Sequence, residues 1–257
     1  MGSSIFYLTN AELRQALTPG NDNLAPIDIL HLDACSMNTL ELAYDLREHV
    51  DYLIAYQYVG WNSFAYYDYW QFMGENARPM DVAREIAKKY AQIQESRNRP
   101  YTVAALDLSA VLPVHNALNA LSLSLTGLYN NNLTQQTQRI AQIRASSRVF
   151  DDDDKDLLNQ LASMYVDLTD WAARIGDARL DPAATEQASA LLNALRDGSA
   201  PLIIPQSNSY RSTTLSDDYI DLSETNGVSI FYPVYRNTPP FRSYVGNLLF
   251  TMTSQSQ

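Results

Sequence analysis

The sequence predicts an α/β fold, because strand, helix and strand patterns follow one another early in the chain. Residues 27–33 alternate in polarity as a half-buried strand does, and residues 40–49 carry apolar side chains at a four-residue spacing. Residues 52–56 form a short apolar run typical of a buried strand. These segments fit within the roughly 30 residues of a β-α-β unit, whose two strands are parallel.

Further helices and strands are predicted after this unit. Apolar periodicity predicts helices at 11–17, 81–94, 110–128, 134–148, 156–175, 183–195 and 241–250. Shorter apolar runs predict strands at 101–108, 202–204 and 228–232. Between the second strand and the next helix, residues 60–74 are predicted to form a loop that is dense in aromatic side chains.

The composition excludes several classes of protein. The chain has 257 residues and a net charge of −11, so it lacks the surplus of Lys and Arg that binds nucleic acid or an anionic membrane surface. It contains one cysteine and three histidines without metal-ligand spacing, which excludes an internal disulfide and argues against a structural transition-metal site. Its hydrophobic fraction of 46% is that of a folded domain.

No segment reads as a membrane span or as a signal peptide. The first residues lack a basic start followed by an apolar core. The longest stretch without a charged residue, 108–138, contains Pro113, His115 and many Asn, Ser and Gln residues, so it does not resemble a lipid-facing helix. The sequence leaves the localisation open.

The single cysteine, Cys35, follows a predicted parallel strand, at the sheet edge where open α/β folds place their sites. It also precedes a predicted helix, whose N-terminus favours a thiolate. A lone cysteine of this kind is a candidate nucleophile when a histidine lies near it in space. The competing interpretation is a small, buried hydrophobic residue.

None of the three histidines is predicted to serve Cys35 as a base. His31 lies on the same strand face, but four strand residues span about 13 Å at about 3.3 Å each. A hydrogen bond needs about 3 Å. His49 is predicted to be solvated at the end of a helix, and His115 to make local contacts.

Several segments resemble the clostripain family of cysteine peptidases. Residues 29–37, ILHLDACSM, followed by the helix of residues 40–47, LELAYDLR, are similar to the family's Asp-Ala-Cys strand and the helix after it. Further similar segments occur in the same order at 51–55, 106–109, 166–172 and 226–233. The ordered set covers nearly the whole chain and is more specific than the tripeptide alone.

The resemblance implies a caspase-like sheet flanked by helices, with an elaborated helical C-terminal part and without the N-terminal strands of the fold. Residues 1–107 would be a partial catalytic core, and residues 108–257 a helical extension with closing strands, integrated with that core. Cys35 would be the nucleophile of an endopeptidase, and its backbone N–H would help to form an oxyanion hole. Asp33 would bind Arg or Lys at the P1 position of the substrate; alternatively, its carboxylate caps a nearby loop or helix.

Two departures from the family pattern affect these expectations. The family's histidine lies in a His-Gly motif on the preceding strand, and this sequence has no such motif. The resemblance therefore implies that an upstream segment or a separate light chain supplies the base, and that this chain alone is inactive. Asn62 stands where the family often has a second acid, which puts the preference for a basic P1 residue in doubt. Trp61 and the aromatic residues after it are candidate walls of the substrate pocket, or a lid over the core.

Other expectations are minor. No cofactor is expected. Some relatives use calcium, but calcium loops alternate their ligands, so the acidic run 151–154 is expected to be a solvated charge run and not a calcium site. The resemblance is compatible with a secreted or cell-envelope protein. The alternative functions are a non-catalytic, caspase-like binding module and a separate interaction domain over residues 108–195.

Overall fold

A computed structural model describes residues 9–18, 27–62, 65–130, 134–150, 164–216 and 218–233. The central sheet has four strands in the order β1-β2-β3-β5, and the strands are β1 (Ile27–His31), β2 (Val50–Ala55), β3 (Tyr101–Asp107) and β5 (Ser209–Arg211). Strands β1 and β2 are parallel, whereas β3 is antiparallel to both of its neighbours. The predicted β-α-β unit is therefore confirmed, within a sheet that is mixed.

Helices cover both faces of this sheet. They are α1 (Asn10–Leu17), α2 (Leu40–Leu46), α3 (Tyr66–Tyr69), α4 (Pro79–Ser96), α5 (Val111–Asn130), α6 (Thr134–Ser146), α7 (Leu168–Ala178) and α8 (Pro182–Leu192). Helix α4 packs on one face in a core that includes Ile54, Tyr90 and Tyr101. Helices α2, α5, α7 and α8 pack on the other face, in a larger core that includes Leu53 and Leu106. The helix-flanked α/β class predicted from the sequence is confirmed.

Local capping explains where several helices begin. Thr9 and Glu12 form a reciprocal capping box at the start of α1. Pro79 occupies the first turn of α4, where its missing N–H costs nothing. Asp167 and Asp181 accept backbone N–H bonds at the starts of α7 and α8.

Short strands account for most differences from the sequence predictions. Of the helix predicted at 156–175, residues 168–175 are confirmed as part of α7. The prediction is wrong for the described residues before them, where strand β4 (Tyr165–Asp167) pairs with β8 (Ser229–Phe231). Residues 202–204 make only an isolated bridge, from Ile203 to Leu106, instead of a strand. A hairpin of β6 (Thr213–Leu215) and β7 (Asp218–Ile220) was not predicted.

The aromatic segment 60–74 also contains structure that was not predicted, namely α3 and a 3₁₀ turn at Trp70–Phe72. The predicted helix at 241–250 and the acidic run 151–154 lie outside the described residues.

Within the described ranges, one helical stretch, Leu108–Tyr129, is long and apolar enough to span a bilayer. Its side chains Val111, Val114, Leu118 and Leu121 are buried in the larger core, and the helix packs against α2 and α8. This burial is typical of a core helix.

Candidate active site

The turn after β1 carries Cys35 at the carboxyl edge of the two parallel strands. The peptide N–H of Ser36 donates to the Tyr58 carbonyl at 2.9 Å, and that of Asn38 donates to the Tyr56 carbonyl at 2.9 Å. Ser36 has a φ of 55°, so the chain reverses through the left-handed region at this position. The segments that follow β1 and β2 are thereby joined beyond the ends of their strands.

Cys35 is exposed, which rules out the buried hydrophobic interpretation. The peptide N–H of Gly60 donates to the Cys35 Sγ atom at 3.4 Å. The backbone N–H of Cys35 makes no hydrogen bond to any described part of the chain. Helix α2 begins only at Leu40, after its cap Thr39, so Cys35 lies in the turn before the helix and not in its first turn.

Gly60 can approach Cys35 because it has no side chain. A Cβ atom at this position would lie 2.9 Å from the Tyr56 ring and 3.2 Å from the Ala34 carbonyl carbon. The Tyr56 ring is buried and stacked on Tyr90, with ring centroids 4.5 Å apart, so it has little room to move. Glycine is therefore needed for the contact between the two loops.

Asp33 is exposed two residues before Cys35, and the Tyr66 hydroxyl donates to its Oδ2 atom at 2.7 Å. Desolvation, then the hydrogen bond to Asp33 and the charge of Asp33, raise the pKa of Tyr66 to about 12. Tyr66 therefore remains a protonated donor at neutral pH. Asp33 caps no helix or loop amide among the described residues.

Tyrosine side chains engage His31 and His115, and His49 lies at the opposite end of β2 from the Cys35 turn. The His31 Nε2 atom lies 2.5 Å from the Tyr56 hydroxyl, and desolvation lowers the pKa of His31 to about 4. The His115 ring packs on Tyr44 with centroids 4.6 Å apart. His49 is half-buried and its Nδ1 atom is enclosed, so it is less exposed to solvent than predicted.

Trp61 and Asn62 follow Gly60 directly but differ in their surroundings. The Trp61 Nε1 atom donates to the Pro100 carbonyl at 2.6 Å, and the Arg99 guanidinium lies 4.8 Å from the Trp61 ring centroid. Asn62 is exposed. No described contact joins either side chain to Cys35 or Asp33, so their role as pocket residues stays a prediction.

A buried polar cluster lies on the other side of the same loop; we call it the buried node, and it consists of Gln57, Asp167, Asn226 and Ser229. The Gln57 Nε2 atom donates to Asp167 Oδ2 and to Ser229 Oγ, both at 3.0 Å. Asp167 also accepts from the Asn226 peptide N–H at 2.6 Å. Desolvation raises the pKa of Asp167, and the hydrogen bonds of its N–H donors oppose that rise.

Sequence reasoning missed the contacts of Gly60, Tyr66 and Gln57. Gly60 and Tyr66 were included only in the aromatic loop, and no local pattern indicates which residues of a loop approach a turn 25 or 33 positions earlier. The available signal was a glycine shortly after an apolar strand, because such a position allows close backbone approach. Among the described residues, no group of three or more His, Cys, Asp or Glu side chains could hold a metal ion.

Solved structures of cysteine proteases have the same fold as this chain. A cysteine protease of B. fragilis superposes with a TM-score of 0.62 at 16% identity, covering 99% of this chain and 96% of that one. A secreted C11 cysteine protease from Bacteroides thetaiotaomicron, in complex with an irreversible peptide inhibitor, has a TM-score of 0.65 at 14% identity. The match covers 96% of this chain but only 63% of that longer one.

A clostripain from Bacteroides thetaiotaomicron, in complex with a peptide inhibitor, is also similar. Its TM-score is 0.61 at 15% identity, over 98% of this chain and 97% of that one. No curated protein sequence matches the chain. The model of the clostripain family matches residues 4–216, more than half of the sequence. The caspase-like fold of cysteine peptidases and this family match agree, and the chain belongs to the clostripain family.

Proposed function

We propose that the protein is a cysteine endopeptidase in which Cys35 is the nucleophile, Asp33 selects a basic P1 residue, and a histidine outside this chain is the general base. The observation that carries the proposal is the exposed Cys35 thiol at the edge of the parallel strands, with the Gly60 N–H directed at its sulfur. The fold and the family support a cysteine peptidase.

The chemistry follows from the groups around Cys35. After the base has taken the thiol proton, the sulfur attacks the carbonyl carbon of the scissile peptide and a tetrahedral intermediate forms. The uncommitted backbone N–H of Cys35 is available to stabilise the oxyanion. The imidazolium then gives its proton to the leaving amine as the C–N bond breaks. Water hydrolyses the thioester and regenerates the thiol.

Asp33 supports cleavage after Arg or Lys. Its carboxylate is exposed two residues from the nucleophile, and a charge-assisted pair with a substrate cation would be stronger than a neutral hydrogen bond. The peptide inhibitor bound to the similar clostripain contains the sequence VLTK, which ends in lysine. The substrate class proposed here is therefore a peptide or protein with an exposed basic residue, and the reaction needs no cofactor.

The external base is proposed from the positions of the histidines and of strand β1. His31 is held by Tyr56 beneath the sheet edge, and His115 packs against Tyr44. Strand β1 pairs only with β2 among the described residues, so its other edge can accept another strand. A strand on that edge would end beside the Cys35 turn, where a histidine could reach the sulfur. On this basis the chain alone is inactive.

The test is reconstitution. The chain is assayed on a fluorogenic peptide ending in arginine, alone and together with the upstream family segment that contains the His-Gly motif. We expect no cleavage by the chain alone and thiol-dependent cleavage by the pair. Cys35→Ala in the pair should reduce the rate at least about a thousandfold, by loss of the nucleophile. Activity that survives Cys35→Ala would overturn the assignment.

The second candidate is a binding module that holds basic peptides without cleaving them. The positions of the histidines favour it: tyrosines engage His31 and His115, and His49 lies at the opposite end of β2 from the Cys35 turn. Such an arrangement binds a substrate but cannot activate the thiol. A reconstituted pair that binds the peptide but does not cleave it would support this function. One of the similar structures is that of a secreted protease, and we propose that this chain is secreted as well.

A further inference from the structure

Asp33 has a single described side-chain partner, the neutral Tyr66 hydroxyl, and it forms no ion pair with any cation in the described ranges. Lys89 of α4 is paired with Asp68 of α3, at 3.1 Å. A neutral donor occupies one position on one carboxylate oxygen and leaves the negative charge in place. The geometry therefore presents an oriented carboxylate whose charge is not compensated within the described chain.

We propose that Tyr66 is a specificity-determining residue: its hydroxyl fixes the orientation of the Asp33 carboxylate, and its ring forms the side of the pocket that receives the stem of a basic P1 residue. This inference deepens the proposed function and rests on it. The second oxygen of Asp33 then faces the substrate guanidinium or ammonium group. The aromatic face beside that cation adds a cation–π attraction.

Helix α3 is anchored in a way that holds Tyr66 in this position. Tyr69 is buried in the core under α4, and its ring centroid lies 5.8 Å from that of His31. The rings of Tyr66 and Tyr69 meet edge to face, with centroids 6.0 Å apart. The Asp68–Lys89 pair joins α3 to α4. One side of this short helix is therefore fixed, while Tyr66 and Tyr67 stay 55% and 90% exposed.

The burial and charge pattern distinguishes Tyr66 from a purely structural tyrosine. The structural tyrosines of the core between α4 and the sheet, Tyr56, Tyr90 and Tyr101, have no exposed surface. More than half of the Tyr66 side chain is open to solvent, yet its hydroxyl is directed at a carboxylate two residues from the nucleophile. Such an exposed hydrogen bond adds little to stability, since water competes for both groups. The main effect of the hydrogen bond is to fix the orientation of the Asp33 carboxylate.

The test compares two peptide substrates that differ only in P1 charge, one with arginine and one with citrulline, on the reconstituted enzyme. The readout is the ratio of their kcat/KM values. Tyr66→Phe should lower this ratio about tenfold, which corresponds to one hydrogen bond of about 1.4 kcal/mol to a charged group. Asp33→Asn should lower it further. The double variant should equal Asp33→Asn, because Tyr66 acts through Asp33.

Tyr129→Phe is the matched control, since Tyr129 is similarly exposed, at 62%, but lies on α5, outside the aromatic segment, and it should leave the ratio unchanged. An unchanged ratio in Tyr66→Phe overturns the proposal, as does a double variant in which the two losses multiply. If the wild-type pair cleaves neither peptide, the proposed function fails on its own. The same ratio is then measured as binding of N-acetyl-arginine amide and N-acetyl-citrulline amide to Cys35→Ala by NMR titration. Equal binding of the two amides, or a preference that Tyr66→Phe does not change, would again overturn the role of Tyr66.

Discussion

The loop after β2 has two polar sides that differ in how completely their hydrogen bonds are formed. On one side, Gln57 belongs to the buried node, where Asp167 accepts hydrogen bonds from several N–H groups and has no exposed surface. On the other side, Gly60 reaches the exposed turn that carries Cys35 and Asp33. The two aspartates differ accordingly: Asp167 is a structural carboxylate whose hydrogen bonds are formed within the fold, whereas Asp33 is exposed and available to a ligand.

The buried node explains why the open turn can be exposed and still ordered. Gln57 Oε1 accepts from the Gly227 peptide N–H at 2.7 Å, and its amide joins Asp167 to Ser229 of β8. The loop is thereby tied to the second sheet three residues before it reaches Cys35. The polar groups of the buried node need hydrogen-bond partners, because each buried polar group without one lowers the stability of the fold by about 1–3 kcal/mol. Groups in the exposed turn are free of that requirement.

The largest expected difference is between Asp167→Asn and Asp33→Asn. Both oxygens of the Asp167 carboxylate accept hydrogen bonds from N–H donors. Asp167→Asn replaces one of these oxygens with an N–H₂ group that faces the donors, so we expect the unfolding free energy to fall by about 4 kcal/mol. Asp33→Asn should change stability by less than about 0.5 kcal/mol, because the site is exposed. Urea unfolding of both variants measures the two changes in unfolding free energy. Equal decreases would contradict the distinction between a structural and an exposed aspartate.

A smaller effect is expected from His31, which is buried beneath the turn. Its folded pKa of about 4 lies below the ordinary value of 6.5, so the unfolded chain binds more protons between these values. Stability contributed by neutral His31 is therefore complete above pH 6.5 and is lost as the pH falls toward 4, by up to about 3 kcal/mol. The unfolding free energy of wild type and His31→Gln is compared at pH 7, 5 and 4. If the unfolding free energy of the two proteins depended on pH in the same way, the claim that His31 is buried and neutral would be contradicted.

The smallest effect is expected from a pair of glycine substitutions, one on each side of the loop. Gly227 has a φ of 98°, and a Cβ there would lie 2.7 Å from the Ala104 Cβ. Gly227→Ala and Gly60→Ala should each cost about 2 kcal/mol of stability by overpacking. At a temperature where both variants are folded, only Gly60→Ala should lower kcat/KM of the reconstituted enzyme. A similar fall for Gly227→Ala would mean that the two sides are coupled.

The sequence predicted the elements that depend on local patterns. The β-α-β unit and the position of Cys35 at its edge follow from residues that are close together in the chain. The apolar pattern predicts helix across strand β4, whose three residues gain their structure by pairing with β8, more than 60 positions later. Asp167 is the last residue of that strand and also the cap of α7, so the apolar pattern runs through the boundary without a break.

At the site, too, the residues that lie close together in the chain could be predicted, and the contacts between distant segments could not. The candidate residues Cys35 and Asp33 were identified from one short segment and its family resemblance. The contacts with Gly60 and Tyr66 depend on how the loop after β2 folds back, which periodicity does not encode. The exclusion of His31 as the base followed from strand geometry, and its bond to the Tyr56 hydroxyl agrees with that reasoning.

The account as a whole depends on Cys35 as the nucleophile, and covalent labelling tests this most directly. The reconstituted enzyme is treated with a peptide acyloxymethyl ketone that ends in arginine, and the labelled residue is located by mass spectrometry. We expect one adduct per chain on Cys35, none in Cys35→Ala, and slower labelling in Asp33→Asn. An unlabelled Cys35, or a label that persists in Cys35→Ala, would contradict the account.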